Sequence, residues 1–197
     1  AKSLSMALNC IGTSYNQLSL VASDDVTSAN LSEKAISFET QALNCLDPTK
    51  HSNLYSTYLN NLGIAYKNRR KGSKTHNYRK NLEYLKKAIL FQHPDLSPTG
   101  WSRCMHNLGN AYRVLAQVSD RDFNLRKSES CYLEAAKIRK RSGLLTVWAK
   151  STGHLGELYL ELAELQGENY LALALEMFKR AVKILTPLCD PILSRRY

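Results

Sequence analysis

Five cysteines and five histidines are the residues of this chain best suited to covalent or metal chemistry. A thiol–imidazole pair attacks a carbonyl only when both side chains sit within hydrogen-bond reach in a polarised pocket. Thr152-Gly153-His154-Leu155-Gly156 is the best candidate for the imidazole half. Cys10, Cys45, Cys104, Cys131 and Cys189 stand singly, with no C-x-x-C pair, and nothing around any of them marks a nucleophile. An odd, dispersed set fits small core residues in a reducing compartment, so the expected location is cytoplasmic. His51, His76, His93, His106 and His154 show no i, i+4 pairing on one helix and no carboxylate completes a ligand set. The expectation is a non-enzymatic segment with no metal and no cofactor.

Phosphate and acidic surfaces are the other chemistry within reach. Lys and Arg total 27 against 17 Asp and Glu, a formal charge of +10, and such a surface attracts acidic proteins, nucleic acid or anionic membranes alike. The densest run, residues 67–80, holds Lys67, Arg69, Arg70, Lys71, Lys74, Arg79 and Lys80 with no acid. A second run is Lys137-Ile138-Arg139-Lys140-Arg141. No recognised nucleic-acid module accompanies either, so nucleic acid ranks behind a protein or peptide partner, an acidic one for preference. No apolar run approaches the roughly 20 residues that cross a bilayer, and no membrane partner is expected. The opening Ala1-Lys2-Ser3-Leu4-Ser5-Met6 has no signal-peptide pattern and reads as though it enters mid-helix, which predicts a fragment of a longer protein.

The elements that must position these residues repeat along the chain. Asn61-Leu62-Gly63-Ile64-Ala65-Tyr66 and Asn107-Leu108-Gly109-Asn110-Ala111-Tyr112 are nearly identical, and His154-Leu155-Gly156-Glu157-Leu158-Tyr159 and Cys10-Ile11-Gly12-Thr13-Ser14-Tyr15 keep the frame. The glycines lie 51, 46 and 47 residues apart. A second landmark follows each: Phe38…Ala42, Tyr84…Ala88, Tyr132…Ala136 and Phe178…Ala181, with alanines 46, 48 and 45 apart. Two landmarks with one period define a repeat. Mid-helix glycine costs about 1 kcal/mol relative to alanine, so its recurrence predicts a close helix approach, with the alanines as the facing small surface. Breakers at Asp47-Pro48, His93-Pro94, Ser142-Gly143 and Thr186-Pro187 separate the repeats. Ser23-Asp24-Asp25, Gly72-Ser73, Ser119-Asp120 and Gly167 mark turns inside them. Eight helices are predicted, over residues 2–21, 30–46, 52–70, 75–91, 99–117, 122–141, 145–166 and 168–186.

Leu-Gly-x-x-Tyr followed by aromatic-x-x-x-Ala resembles the tetratricopeptide repeat over essentially the whole chain. The period exceeds the usual 34 residues. The usual Trp four before the glycine is replaced by Leu59, Met105 and Thr152, while Trp101 and Trp148 stand eight before it, with Tyr55 and Leu4 in the matching places. With Asn-Leu before the second helix (Asn30-Leu31, Asn124-Leu125), this long variant is similar to the repeats that precede caspase-like CHAT protease domains. HEAT and armadillo repeats share the period but not Leu-Gly-x-x-Tyr. The Gly-His-Gly flavour of residues 153–156 resembles the setting of a caspase-like catalytic histidine. It nonetheless occupies the repeat register inside a helix, so the packing reading is preferred.

The resemblance implies an all-α, right-handed α-α superhelical solenoid of about four helix-turn-helix repeats. They would form one domain over 1–197, with repeats at about 1–48, 52–94, 99–142 and 145–187. It also implies a groove lined by first helices, in which polar residues at fixed offsets from the glycine hold a peptide. Those offsets fall on Asn60, Asn61 and Lys67, on Arg103, His106, Asn107, Asn110 and Arg113, and on Lys150 and Glu157. Asparagine amides would pair with an extended backbone and the cations with an acidic group. The basic patch Arg69, Arg70, Lys71, Lys74, Arg79 and Lys80 is the alternative, nucleic-acid surface. Trp101 and Trp148 are expected at the seam between repeats. Pro187, Pro191 and Arg195-Arg196 do not resemble a cap, so apolar edges are expected at both ends.

Overall fold

The computed structural model describes residues 1–189, with side chains through Thr186; Pro191 and Arg195-Arg196 lie outside the described residues. It is all-α and of helical-repeat, solenoid type, with no strand among the described residues. The helices are α1 (Lys2–Val21), α2 (Asp25–Asn44), α3 (Ser52–Asn68), α4 (Lys74–Ile89), α5 (Pro98–Leu115), α6 (Arg121–Arg141), α7 (Leu145–Gln166) and α8 (Asn169–Cys189). They fall into two compact units that divide at His93/Pro94, the junction of the second and third repeats. In unit 1, α1 packs on α2, α3 on α4, α2 on α3, and α1 touches α3. In unit 2, α5 packs on α6, α6 on α7 and α7 on α8.

Local chemistry explains the boundaries. Pro98 begins α5, where its missing N–H costs nothing. Gly167 ends α7 at φ 100°, a backbone conformation that side-chain-bearing residues rarely adopt. The one large departure from expectation is α2, which begins five residues early. Its cap is Asp24, whose carboxylate accepts from the Thr27 backbone N–H at 2.8 Å, so the Ser23-Asp24-Asp25 turn is also the helix start. At the far end, α8 runs past the Thr186-Pro187 break.

A buried polar residue at the fourth position of the second helix fastens the intra-repeat turn in the first three repeats; the fourth repeat has Ala172 there. The Ser28 hydroxyl donates to the Ser19 carbonyl (2.7 Å), and the Asn77 amide to the carbonyls of Arg69 (3.2 Å) and Lys71 (2.9 Å). The Asn124 amide donates to the Ser119 carbonyl (2.7 Å). The counterpart of Asn124 in the first repeat is therefore Ser28 rather than Asn30, which is exposed.

The repeat glycines are buried, as close packing requires, but aromatic rings rather than alanines occupy the facing place in unit 2. A Cβ on Gly109 would lie 2.7 Å from the Tyr132 ring, and one on Gly156 2.7 Å from Phe178. In unit 1 the nearest atoms are the Glu39 side chain at 2.9 Å from a Cβ on Gly12, and Asn81 at 3.2 Å from one on Gly63. The alanines are buried elsewhere in the seam; Ala42 packs with Leu46 and Tyr58 across to the next repeat. The larger core of unit 2 gathers Leu125, Tyr132, Leu155, Leu158 and Leu162. Trp101 and Trp148 are half-buried at the starts of α5 and α7, the latter beneath the Lys140 ammonium. Apolar side chains stay exposed on α1 (Leu4, Leu18, Leu20, Val21) and on α8 (Leu171, Leu175, Val182), as expected for the outer helices.

Candidate functional site

The first helices of each unit meet through polar side chains, and both units use one register. Counting from the repeat glycine, position −3 of one repeat faces −2 of the next, and +4 faces +5. In unit 1 the −3/−2 pair is Asn9 and Asn61, whose amide donates to the Asn9 carbonyl oxygen at 2.8 Å. The +4/+5 pair is Asn16 and Asn68, with the Asn68 amide donating at 3.0 Å. In unit 2 the −3/−2 pair is His106 and His154, with ring centroids 4.9 Å apart and nearly perpendicular. Its +4/+5 pair is Arg113 and Glu161, Nε to Oε1 2.6 Å, and a second Arg113 nitrogen donates to Glu157 at 2.6 Å. The seven-residue step between −3 and +4 is two helical turns, so each helix presents both partners on one face.

The expected groove residues divide between surface and interior. Asn61, Asn107, Asn110 and Arg113 are half-buried, and Lys67 likewise, while Arg103 and Lys150 are exposed. Asn60 and His106 are buried, 3% and 5% exposed, so neither offers an open contact to a partner. Asn110 accepts a hydrogen bond from the Tyr132 hydroxyl at 2.5 Å. Burial alone would lower the Arg113 pKa, but its bonds to Glu157 and Glu161 outweigh that and hold the guanidinium firmly charged. Arg113 is thus spent within the protein. Offsets from the glycine did not reveal Asn9, Asn16, Asn68 or Glu161. The available signal was the i, i+7 asparagine pair on each of α1 and α3.

His154 lies in the middle of α7 rather than in a loop. Its ring stacks on Tyr132 and its Nδ1 lies 3.5 Å from Glu157. His106 sits beneath it with Nδ1 3.1 Å from the Ser151 hydroxyl, which also accepts from the buried Arg139 guanidinium. Burial, reinforced by Arg139 and His154, pushes the His106 pKa down to about 3. Burial also lowers that of His154, and brings Arg139 down to about 10. A hydroxyl, an imidazole and a guanidinium are brought together here, but Ser151 is fully buried and cannot meet a substrate. Cys104 and Cys131 are buried, Cys45 is half-buried and Cys10 exposed; the Cys189 side chain is outside the described ones. No group of three His, Cys, Asp or Glu side chains is placed to hold a metal ion among the described residues. No helix there is long and apolar enough to cross a membrane.

The first basic run separates by pairing. Arg69 forks onto Glu33 (Nε–Oε1 2.7 Å, Nη2–Oε2 3.2 Å), and Lys80 reaches Glu83 at 2.9 Å. Among the described residues Arg70, Lys71, Lys74 and Arg79 carry no ion-pair partner. Most of the second run is tied within the fold: Arg139 is buried, Arg141 pairs with Asp95 at 2.6 Å, and Lys140 covers Trp148, while Lys137 stays exposed.

The fold is thus a repeat built on buried glycines and a fixed inter-helix register. No family model matches the chain, and no curated protein matches its sequence.

Proposed function

We propose that this chain is a protein-interaction scaffold of tetratricopeptide type that takes an extended peptide or partner protein on the face made by its first helices. The observation that supports this best is the half-buried Asn9–Asn61 pair of unit 1. One amide hydrogen and one carbonyl are used between them. The Asn9 amide N–H groups and the Asn61 carbonyl keep their capacity at the surface, the complement of an extended peptide backbone. Exposed Lys150 offers unit 2 a cation for an acidic side chain. Dispersed free thiols support a cytoplasmic setting.

The test begins with peptides selected on the full chain from a random display library and measured by calorimetry. Replacing Asn9 and Asn61 together with Ala weakens the selected peptide about tenfold or more with the melting curve little changed. A peptide that binds the double variant as well as the parent places the site elsewhere.

The long repeat supports a more specific form of the same reading, a regulatory arm that gates a caspase-like protease domain carried elsewhere in the protein. A reading frame continuing into a His/Cys domain would support that form. A second reading, a nucleic-acid-associated adaptor, draws on the unpaired Arg70, Lys71, Lys74 and Arg79. Phosphate-backbone binding falls steeply with salt, so filter binding at two salt concentrations tests it, and no retention at low salt ends it.

A further inference from the structure

Unit 1 has a half-open cleft of about 470 Å³ where α1 and α3 end and α2 and α4 begin. That volume lies in the roughly 300–1,000 Å³ range of small-ligand sites. Its lining includes Lys67, Arg69, Arg70, Lys74, Asn77 and one acid, Asp25. Arg69 is neutralised by its two bonds to Glu33. Among the described residues Lys67, Arg70 and Lys74 have no ion-pair partner, and Asp25 pairs with none of them. Lys67 is half-buried, and that burial pushes its pKa down, the mark of a cation desolvated without a counter-charge.

The helix above the cleft adds to this imbalance. α4 begins at Lys74 with Ser73 making no capping bond and no acid in its first turn. A helix N-terminus carries roughly half a positive charge and disfavours nearby cations. α2 follows the opposite rule, with Asp24 as cap and Asp25 in its first turn. The Asn77 amide bonds to the Arg69 and Lys71 carbonyls keep the turn bearing Arg70 in place. An excess of positive charge is therefore held on a fixed frame around the cleft, an arrangement that an anion relieves.

We propose that this cleft binds the phosphate group of a small phosphorylated molecule, with Lys67, Arg70 and Lys74 as its cationic contacts. Set against Asp25, the three cations leave an excess of two positive charges beside a helix N-terminus, more than a carboxylate neutralises and matched to a phosphate dianion. A concave site favours a small ligand over a nucleic-acid strand, and the unpaired Lys71 and Arg79 that a strand would also use do not line it. This site is separate from the first-helix face and stands whether or not that face binds peptide.

The experiment is an NMR titration of the isotope-labelled full chain with inorganic phosphate and, separately, ribose 5-phosphate. Saturable amide shifts confined to residues 67–78 and the start of α2 are expected at millimolar ligand. Lys67→Met and Lys74→Gln each weaken binding about tenfold, whereas Lys71→Gln and Arg79→Gln leave it unchanged. Lys74→Gln lies at a helix start, so it serves even if Lys67→Met disturbs folding. Tighter binding of ribose 5-phosphate identifies an organic phosphate; equal binding identifies free phosphate. No saturable shift overturns the proposal. So does equal weakening by Lys71→Gln, or an oligonucleotide bound to this turn that phosphate fails to displace.

Discussion

Units 1 and 2 are built on one register and filled with different chemistry. Between their first helices, −3 faces −2 and +4 faces +5 in both. Unit 1 fills these places with two asparagine pairs, and unit 2 with a histidine pair and an arginine gripped by two glutamates. The second helices differ in parallel. In unit 1 the aromatics Phe38 and Tyr84 stack on the repeat tyrosines Tyr15 and Tyr66, at 5.5 and 5.4 Å. In unit 2 Tyr132 and Phe178 lie over the glycines instead. Helix geometry therefore sets which positions meet, while the residue types decide whether the junction is neutral or charged. Neutral amides leave unit 1 hydrogen-bonding capacity to offer a partner; unit 2 spends the polar groups of this junction on itself.

The largest expected divergence is in pH response. Glu39 of unit 1 is buried against Gly12, with one oxygen accepting from Thr13 at 3.0 Å and the other without a partner. Burial raises its pKa from 4.5 to about 7, against a smaller lowering by the Thr13 bond. Folding then favours the protonated acid. The stability is complete below about pH 4.5 and is lost as pH rises toward 7, by about 3 kcal/mol. His106 of unit 2 runs the other way, because its folded pKa is lowered from 6.5 to about 3. Its contribution is complete above 6.5 and is lost on acidification, by about 2 kcal/mol at pH 5, with His154 adding in the same direction. Hydrogen exchange, corrected for intrinsic rates, resolves the helices of each unit in one sample. Acidification from pH 7 to 5 should strengthen protection in α1 and α2 and weaken it in α5 and α7. Glu39→Gln should remove the first slope, and His106→Gln should reduce the second to the part that His154 contributes. Parallel slopes in the two units would refute the contrast.

Next comes the glycine seam. Gly109→Ala drives a methyl into the fully buried Tyr132 ring, whose motion is blocked by His106 and His154. Overpacking of this kind costs about 1–3 kcal/mol, partly offset by alanine's better helix propensity, for a net loss of up to about 2 kcal/mol. Gly63→Ala meets its nearest neighbour at 3.2 Å and should lose less than about 1 kcal/mol. Urea unfolding of both variants decides between them; equal losses would show that the seam does not distinguish the units.

That seam also marks how far the sequence could be read. Six helices match the expected bounds within two residues, because Pro98, Gly72 and Gly167 act locally and show in one dimension. Asp24 was legible as a turn residue but not as a cap, since the same carboxylate serves either role until the Thr27 N–H is placed. Glycine spacing indicated close approach. It could not tell that Tyr132 rather than Ala136 fills the gap, because which residue faces which depends on how the helices cross. The site was less legible still. Asn60 and Asn61 are neighbours of one type, yet one is buried and the other bridges to Asn9. An amphipathic face written in polar residues looks the same whether it meets solvent, a partner or the next helix.

The smallest effects test the register itself. Arg113→Met leaves Glu157 and Glu161 facing each other without their cation. The pair is only partly exposed and doubly bonded, so a loss of about 1 kcal/mol is expected, at the upper end for such ion pairs. Because the attraction is Coulombic, that loss should shrink as salt is raised. Asn68→Ala in unit 1 removes one neutral hydrogen bond to the buried Asn16, worth about 0.5–1.5 kcal/mol, and its cost should not vary with salt. Double-mutant cycles for Arg113 with Glu161 and for Asn68 with Asn16, each at low and high salt, separate coupling from lost packing. A salt-dependent coupling in unit 2 beside a salt-independent one in unit 1 is the outcome that one geometry with two chemistries requires. Zero coupling between Asn16 and Asn68 would mean that this bond does not hold α1 to α3, and that the half-buried Asn68 is free for a partner.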